Sequence, residues 1–356
     1  MPLNRCSAAK DVLWRRKMKV VTFGELLLRL EPEGYYRFVQ VDKMTSTFGG
    51  AEANVAISLA NFGLDSTYVT KLPSHEIGQA ALNSLRRFGV DTSQIVRGGK
   101  RLGIYFNERG ASQRPSKCIY DRAGSAIAES IPSDFDWPKI FQGASWFHIT
   151  GVTPALGGNL PAICEEACIQ AKKAGLTVSC DLNYRSKLWT KEEAQETMSR
   201  ICKHVDVCIS NEEDARDVFG IEADDSDIIN GKLNKEGYKK VALKLSQKFG
   251  FKKVAITLRK SINANQNKWS ALFYDGKDFF FSREYDMVIV DRLGGGDSFC
   301  AGLIYAQLKQ KDSSYTVEFA SAASCLKHTI EGDFNMVSVE EVERLSHGDT
   351  SGRILR

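Results

Sequence analysis

Residues Asp291–Tyr305 read DRLGGGDSFCAGLIY. Three successive glycines, Gly294, Gly295 and Gly296, run into Asp297 and then into an apolar, small-residue segment with helical spacing. Glycines at such a junction leave backbone N–H groups unshielded at a helix N-terminus, where orphan donors and the positive end of the dipole attract an anion. A carboxylate beside a bound phosphate is repelled by it. Asp297 is therefore expected there for a chemical reason, to accept the proton of a hydroxyl that attacks the phosphorus. An anion cradle with a base beside it points to phosphoryl transfer to an alcohol, with Asp297 catalytic and Gly294–Gly296 as the anion hole. The plainer reading makes Asp297 a helix cap after a flexible loop. A cap needs no run of three glycines, whose ordering costs conformational entropy.

Outward from this stretch, short apolar runs alternate with helical patterns. Lys19–Phe23, Thr67–Thr70, Trp146–Ile149, Thr177–Cys180, Asp206–Ile209 and Val254–Leu258 are predicted strands. Ile77–Phe88, Asn159–Ala174, Glu192–Cys202, Glu212–Phe219 and Gly237–Phe249 are predicted helices. Trp269–Tyr274 and Phe279–Ser282, joined by Asp275-Gly276, read as a hairpin. Two helices, near Gly295–Lys309 and Tyr315–Lys327, are expected to close the chain. The alternation implies an α/β fold, a doubly wound and mostly parallel sheet with helices on both faces.

Two regions, from about residues 28–48 and 100–122, break the rhythm and are assigned to a small β-sheet lid. Gly103–Asn107 and Lys117–Asp121 fit a hairpin with a long polar tip. Tyr35, Tyr36, Phe38, Tyr105, Phe106 and Tyr120 are expected on the faces of this sheet, covering a ligand or meeting another subunit.

Of 356 residues, 43% are hydrophobic and 26% charged, which excludes a disordered chain. The formal charge of +4 sits entirely before Met18, where Arg5, Lys10, Arg15, Arg16 and Lys17 face only Asp11. The body is neutral, so no nucleic-acid partner is expected. No run approaches the ~20 apolar residues of a membrane span, and a cytoplasmic location is expected. Residues 1–17 read as a short organellar presequence, an expression remnant or the product of an upstream start codon. They are expected to lie outside a single domain over residues 18–356. Nine cysteines, odd in number and without a CxxC, read as reduced thiols, most of them buried, and the five histidines lack metal-ligand spacing.

Two further motifs stand in order before the glycine stretch: Gly49-Gly50-Ala51-Glu52-Ala53-Asn54 and Asn211-Glu212-Glu213-Asp214. With Asp291–Gly302 they resemble the ribokinase-like (phosphofructokinase-B-type) carbohydrate kinases from Lys19 onward. That family's marks are a di-glycine with a following Asn, an NxxE turn and DTxGAGDxFxAG. The chain departs at Arg292 for Thr, Gly295 for Ala and Asp214 for Glu, and its first strand ends Gly24-Glu25 rather than Gly-Asp. The last change is similar to the branch that phosphorylates 2-keto-3-deoxygluconate. Gly103-Ile104-Tyr105-Phe106, the run from Tyr120 to Ala126, and Asp181-Leu182-Asn183-Tyr184-Arg185 before Leu188-Trp189 also resemble that branch.

The resemblance implies ATP-dependent phosphorylation of the terminal hydroxyl of 2-keto-3-deoxygluconate, with ATP and Mg2+ as cofactors. Substrate would meet Gly50, Asn54, Tyr105, Tyr120, Arg122, Arg185 and Asp297. ATP would meet Asn183, Arg185, Asn211, Thr257 and Arg259, the last two in a loop after the penultimate strand. Asp214 would hold the metal through water. A homodimer or higher oligomer through the lid is expected. The residue types suit the task, because planar guanidinium groups form charge-assisted bonds to a carboxylate and tyrosines offer a ring face plus a hydroxyl to a polyol. A kinase for a neutral sugar such as fructose or ribose, and a non-catalytic sugar sensor on the same fold, are the rival readings. A nicotinamide-dependent dehydrogenase would need a glycine fingerprint after the first strand, and neither that nor a Walker A motif occurs.

Overall fold

Consecutive apolar residues in the predicted strands can all be buried only if both faces of a sheet are covered, and this is what the chain builds. The structure, a computed structural model, describes residues 18–211, 213–222 and 235–353. In chain order its strands are Lys19–Phe23 (β1), Leu27–Glu31 (β2), Thr45–Gly49 (β3), Ser66–Val69 (β4), Lys71–Leu72 (β5), Val96–Arg97 (β6), Gly103–Glu108 (β7), Lys117–Asp121 (β8), Ala144–Thr150 (β9), Thr177–Asp181 (β10), Val207–Asn211 (β11), Lys253–Ser261 (β12), Gln266–Tyr274 (β13), Phe279–Phe281 (β14) and Tyr285–Val288 (β15). The main sheet runs β14-β13-β12-β11-β10-β9-β1-β4, with β15 also on β13. From β4 to β12 the pairs are parallel, and β13, β14 and β15 add an antiparallel edge.

Alternation along each strand divides the core. Val20 and Ala255 point to a layer with helices Ala51–Asn61, Gly295–Leu308 and Ser313–Lys327. Val21 and Val254 point to the opposite layer, with Leu160–Lys173, Lys191–Ile201 and Lys235–Phe249. The small residues after Asp297 let two helices approach closely: a Cβ on Gly302 would stand 2.8 Å from Ala320 Cα. From β1 the chain first goes to β4 on one side, then crosses to β9 and continues outward on the other. The sheet therefore has its switch point between β1 and β9, where open α/β sheets bind ligands beyond the strand carboxyl ends.

The lid is a four-stranded sheet, β3-β2-β7-β8, with β7 and β8 antiparallel. Its hairpin tip is not free. Ser112 N donates to Asn265 Oδ1 (2.7 Å) and Ala264 N to Ser112 O (2.8 Å), which docks the tip on the β12–β13 turn.

Several expectations need correction. Tyr35, Tyr36 and Phe38 are not on sheet faces but in the β2–β3 connection, where Phe38 begins a single 3-10 turn. Proximity to Gly34 and a polar, charged flank break the strand pattern there. A third helix, Val339–Ser346, follows the two expected at the end, opened by a Ser338–Glu341 capping box. The β12 strand runs on to Ser261, so Thr257 and Arg259 lie within it rather than in a loop, and three strands follow it. Pairing with β13 as far as Ser261↔Asn267 supplies the hydrogen bonds that extend it. The expected Asp275-Gly276 turn forms, with Asp275 Oδ1 accepting from Lys277 N and Asp278 N. Eight described cysteines are free, seven of them buried. Residues 1–17 and Glu212 lie outside the described residues.

Candidate active site

The glycine stretch begins the helix Gly295–Leu308 with Gly294 as N-cap at φ +79°. A Cβ there would also stand 2.1 Å from Asp333 O, so both backbone conformation and space require glycine. Gly296 differs, since a Cβ on it would meet nothing within 4 Å. Asp297 is buried in the first turn. Its Oδ2 accepts from Asn54 Nδ2 at 2.7 Å, and Asn54 Oδ1 accepts from Gly50 N at 3.3 Å. Two motifs more than 240 residues apart in sequence thus meet at one carboxylate. Burial pushes the Asp297 carboxyl up to about 6, against the opposing pull of the Asn54 hydrogen bond.

A pocket of about 110 Å³ opens beside Asp297 and is lined by Gly50, Asn54, Tyr105, Tyr120, Arg122 and Arg185, which the sequence pointed to. It also contains Glu25 and Glu52, quoted above only as parts of motifs, and Asp333, which the sequence did not mark. The rings of Tyr105 and Tyr120 lie 6.0 Å apart, and the Arg122 guanidinium stands 4.8 Å over Tyr120. Arg122 is already engaged: Nη2 lies 2.7 Å from Glu25 Oε2, while Ser125 Oγ donates to Glu25 Oε1 at 2.7 Å. The Arg122 Nε has no partner. Arg185 is exposed and pairs with no carboxylate among the described residues; one of its Nη groups donates only to Tyr184 O. Glu52 Oε1 accepts from Thr150 N, Thr150 Oγ1 and Thr153 Oγ1, tying the start of helix Ala51–Asn61 to the end of β9. Burial raises its pKa to about 7. Tyr105 OH donates to Asp333 Oδ1 at 2.6 Å. No motif marks Asp333, and its place after Gly332 in a mixed polar stretch gives no signal.

On the other side of Asp297 lies a cleft of about 440 Å³. Asn183, Arg185, Asn211, Asp214, Thr257, Arg259 and Gly294–Gly296 all line it, as expected. Asn183 takes a left-handed backbone at φ +40°. Asn211 Oδ1 accepts from Glu213 N and Asp214 N, at 2.7 and 2.9 Å, so this side chain caps the turn that presents Asp214. Asp214 is buried at the start of helix Asp214–Phe219. Its Oδ1 accepts from Tyr184 N at 3.2 Å and its Oδ2 has no partner. Burial raises this carboxyl to about 6, opposed by the charge of Arg185. Asp181, at the end of β10, also lines the cleft; burial, and then the charges of Asp214 and Asp297, push it well up. Arg292, at the signature's Thr position, reaches the same cleft while its Nη2 donates to Ala264 O at 2.9 Å. An orphaned carboxylate oxygen beside anion-binding N–H groups suits a cation that accompanies a polyphosphate. Among the described residues no three His, Cys, Asp or Glu side chains converge to hold a metal alone. Mg2+ keeps waters and phosphate oxygens among its ligands and needs few protein groups.

A larger groove, of about 770 Å³, lies at the opposite ends of the strands among Met18, Trp146, Asp206 and Lys253 and has none of these groups. Residues 17–338 match the profile of the pfkB family carbohydrate kinases. The chain belongs to that family. A Thermotoga maritima structure named 2-dehydro-3-deoxygluconokinase (2-dehydro and 2-keto denote the same carbonyl) is 54% identical, with TM-score 0.90 over 93% of this chain and 99% of that one. The Haloferax volcanii 2-dehydro-3-deoxygalactonokinase is 29% identical over 94% of this chain and 98% of its own. The Bacillus subtilis 2-dehydro-3-deoxygluconokinase is 27% identical over 91% and 94%. This pfkB protein is an ATP-dependent sugar kinase with a ribokinase-like fold, and its family uses ATP with Mg2+. Among the described residues no helix is long and apolar enough to cross a membrane.

Proposed function

We propose that this kinase phosphorylates the terminal hydroxyl of 2-keto-3-deoxygluconate, giving the 6-phosphate, and works in the cytoplasm as one kinase domain from residue 18 with the lid inserted. The observation that carries the reading is the convergence of Arg122 and Arg185 with Tyr105 and Tyr120 on the pocket that ends at Asp297. A neutral sugar gives less reason to aim two guanidinium groups there. Likeness to the Thermotoga maritima protein supports the same substrate.

In this reading Asn54 occupies one oxygen of Asp297 and leaves the other to accept the hydroxyl proton. A carboxyl near 6 is ionised at neutral pH yet more basic than an exposed aspartate, which favours general-base work. The N–H groups of Gly294–Asp297 hold the charge that grows on the transferring phosphoryl oxygens. Asn183, Arg185, Asn211, Thr257 and Arg259 meet the nucleotide. Asp214, with Asp181 beside it, would hold Mg2+ through water; the bound ion would neutralise polyphosphate charge. Glycine at position 50 lets the start of helix Ala51–Asn61 pack against the segment after β1, since a Cβ there would stand 2.0 Å from Glu25 O.

The test is ATP-dependent ADP release across 2-keto-3-deoxygluconate, its 2-keto-3-deoxygalactonate epimer, fructose and ribose. The gluconate is expected to have the highest kcat/KM. Preference for the galactonate would favour the Haloferax volcanii-like activity, and preference for a neutral sugar would overturn the reading. Self-association through the lid is part of the proposal. Tyr35, Tyr36, Val39, Met44 and Ile119 are exposed on it, a cost that a second copy would relieve. Light scattering should show a dimer or a multiple; a fully active monomer would remove this part.

A further inference from the structure

We propose that Arg29 is a positioning residue that sets the sugar pocket and the phosphate cradle in one geometry. Arg29 lies on lid strand β2 and is 1% exposed. Its Nη1 donates to Asp333 Oδ1 at 2.7 Å. Its Nη2 donates to Asp291 Oδ2 at 2.6 Å and Glu31 Oε2 at 2.5 Å. Each carboxylate leads somewhere different. Asp333 lines the sugar pocket, and its Oδ1 also accepts from Tyr105 OH at 2.6 Å. Asp291 opens the glycine stretch: its Oδ1 accepts from Leu293 N at 3.1 Å, one residue before the N-cap Gly294, and its Oδ2 from Gly332 N at 3.0 Å. Glu31 is bound in turn by Arg109 Nε (2.9 Å) and Asn107 Nδ2 (2.7 Å) on the lid.

One planar group therefore joins the lid, the sugar pocket and the loop entering the anion hole. The planarity matters, because a guanidinium presents fixed donors in several directions while an ammonium is a single point of charge. Asp291 and Asp333 would otherwise repel each other. Against the cost of burial, the charges of Asp333 and Asp291 hold the Arg29 pKa above its ordinary value. The proposal concerns geometry within the site and holds for any sugar this kinase accepts. Arg29 touches neither the phosphate cradle's N–H groups nor Asp297, so its influence passes through Asp291, Asp333 and Tyr105.

The pH dependence follows from what faces Asp333: Arg29 from β2, Tyr105 from β7, Cys118 from β8, Asp291 and Asp297 from the cradle, and Lys327 from the helix before it. Burial raises the Asp333 pKa and Arg29 opposes that rise. Losing the guanidinium must move it further up, so the ionised form would disappear at higher pH.

Two variants of the full chain test this, Arg29→Lys and the charge-balanced Arg29→Met/Glu31→Gln, with folding checked by circular dichroism melts. The double variant is expected to raise the sugar KM at least tenfold, lower kcat, and move the acid side of the kcat/KM profile for sugar upward, as protonation of Asp333 at higher pH adds to the limb set by Asp297. Nucleotide Kd should stay within about twofold. Arg29→Lys is expected to keep the limb in place, because the charge remains, but to lose at least fivefold in kcat/KM. A folded double variant with sugar KM within twofold of wild type, or with an unmoved limb, would reduce Arg29 to a fold-holding role and overturn the proposal. If the double variant does not fold, wild-type kinetics in Arg29→Lys would overturn it alone.

Discussion

The proposed phosphate cradle and the proposed sugar pocket meet at Asp297 and are built in opposite ways. The cradle is one unbroken stretch, Gly294–Asp297, whose working parts are backbone N–H groups. The pocket gathers side chains from separate segments: Glu25 after β1, Asn54 from a helix, Tyr105 and Arg122 from the lid, Arg185 after β10 and Asp333 near the C-terminus. Backbone donors need only local dihedrals and missing side chains, so a short motif can carry them. A side-chain pocket needs the whole fold, and each wall depends on partners elsewhere. Arg122 shows this, because its carboxylate partner Glu25 lies far away in sequence, in the connection between β1 and β2.

The largest expected effect lies where the two regions meet. Asp297→Asn should lower kcat by about 10²–10⁴-fold while leaving nucleotide binding near wild type. Sugar-dependent ADP release within threefold of wild type would remove Asp297 as the base.

The next test separates structure from chemistry inside the cradle. Gly294→Ala forces a side chain into a left-handed backbone and against Asp333 O, and should cost about 1–3 kcal/mol of stability in a denaturant melt. Gly296→Ala meets open space, so the melt should be unchanged while kcat/KM for ATP falls. Equal losses of stability in both variants would mean that the cradle is not divided this way.

A third comparison sets the two arginines of the pocket against each other. Arg185→Ala should raise KM for a sugar acid about 10- to 150-fold, as loss of a charge-assisted bond of about 1.5–3 kcal/mol predicts, with no change in melting. Arg122→Ala should also raise that KM, but should destabilise the fold because it strands the buried Glu25 carboxyl. If neutral sugars suffer as much as acids in both, the carboxylate reading fails.

The smallest effect is on pH. Activity needs the ionised Asp297, whose carboxyl burial raises to about 6, so kcat/KM should be full above that value and fall as the pH drops through it. Asn54 holds the pKa down through its hydrogen bond, so Asn54→Ala should move this limb upward. A profile flat to pH 5 would show that Asp297 is not the titrating group.

Much of the fold was legible because the strands alternate between two buried faces. Val20 and Val21, or Val254 and Ala255, are apolar in succession, and only a sheet covered on both sides accepts that pattern. The lid aromatics were misplaced for the converse reason. Tyr35, Tyr36 and Phe38 have β-forming side chains, but Gly34 and the surrounding polar residues let the chain turn away from the sheet.

By itself, the sequence determined most of the elements, the glycine turn into Asp297 and most of the residues that line the clefts beside it, since these depend on local periodicity, on glycine's freedom and on motif order. Tertiary structure alone decided the charge state and engagement of the site. It paired Arg122 with Glu25, brought Asp333 to Tyr105, buried Asp214 with one oxygen unpartnered and placed Arg29 among three carboxylates. Apart from Glu31, two residues from Arg29, those partners lie tens to hundreds of residues apart, and an electrostatic interaction depends on distance and burial in space, which no local pattern of residues encodes.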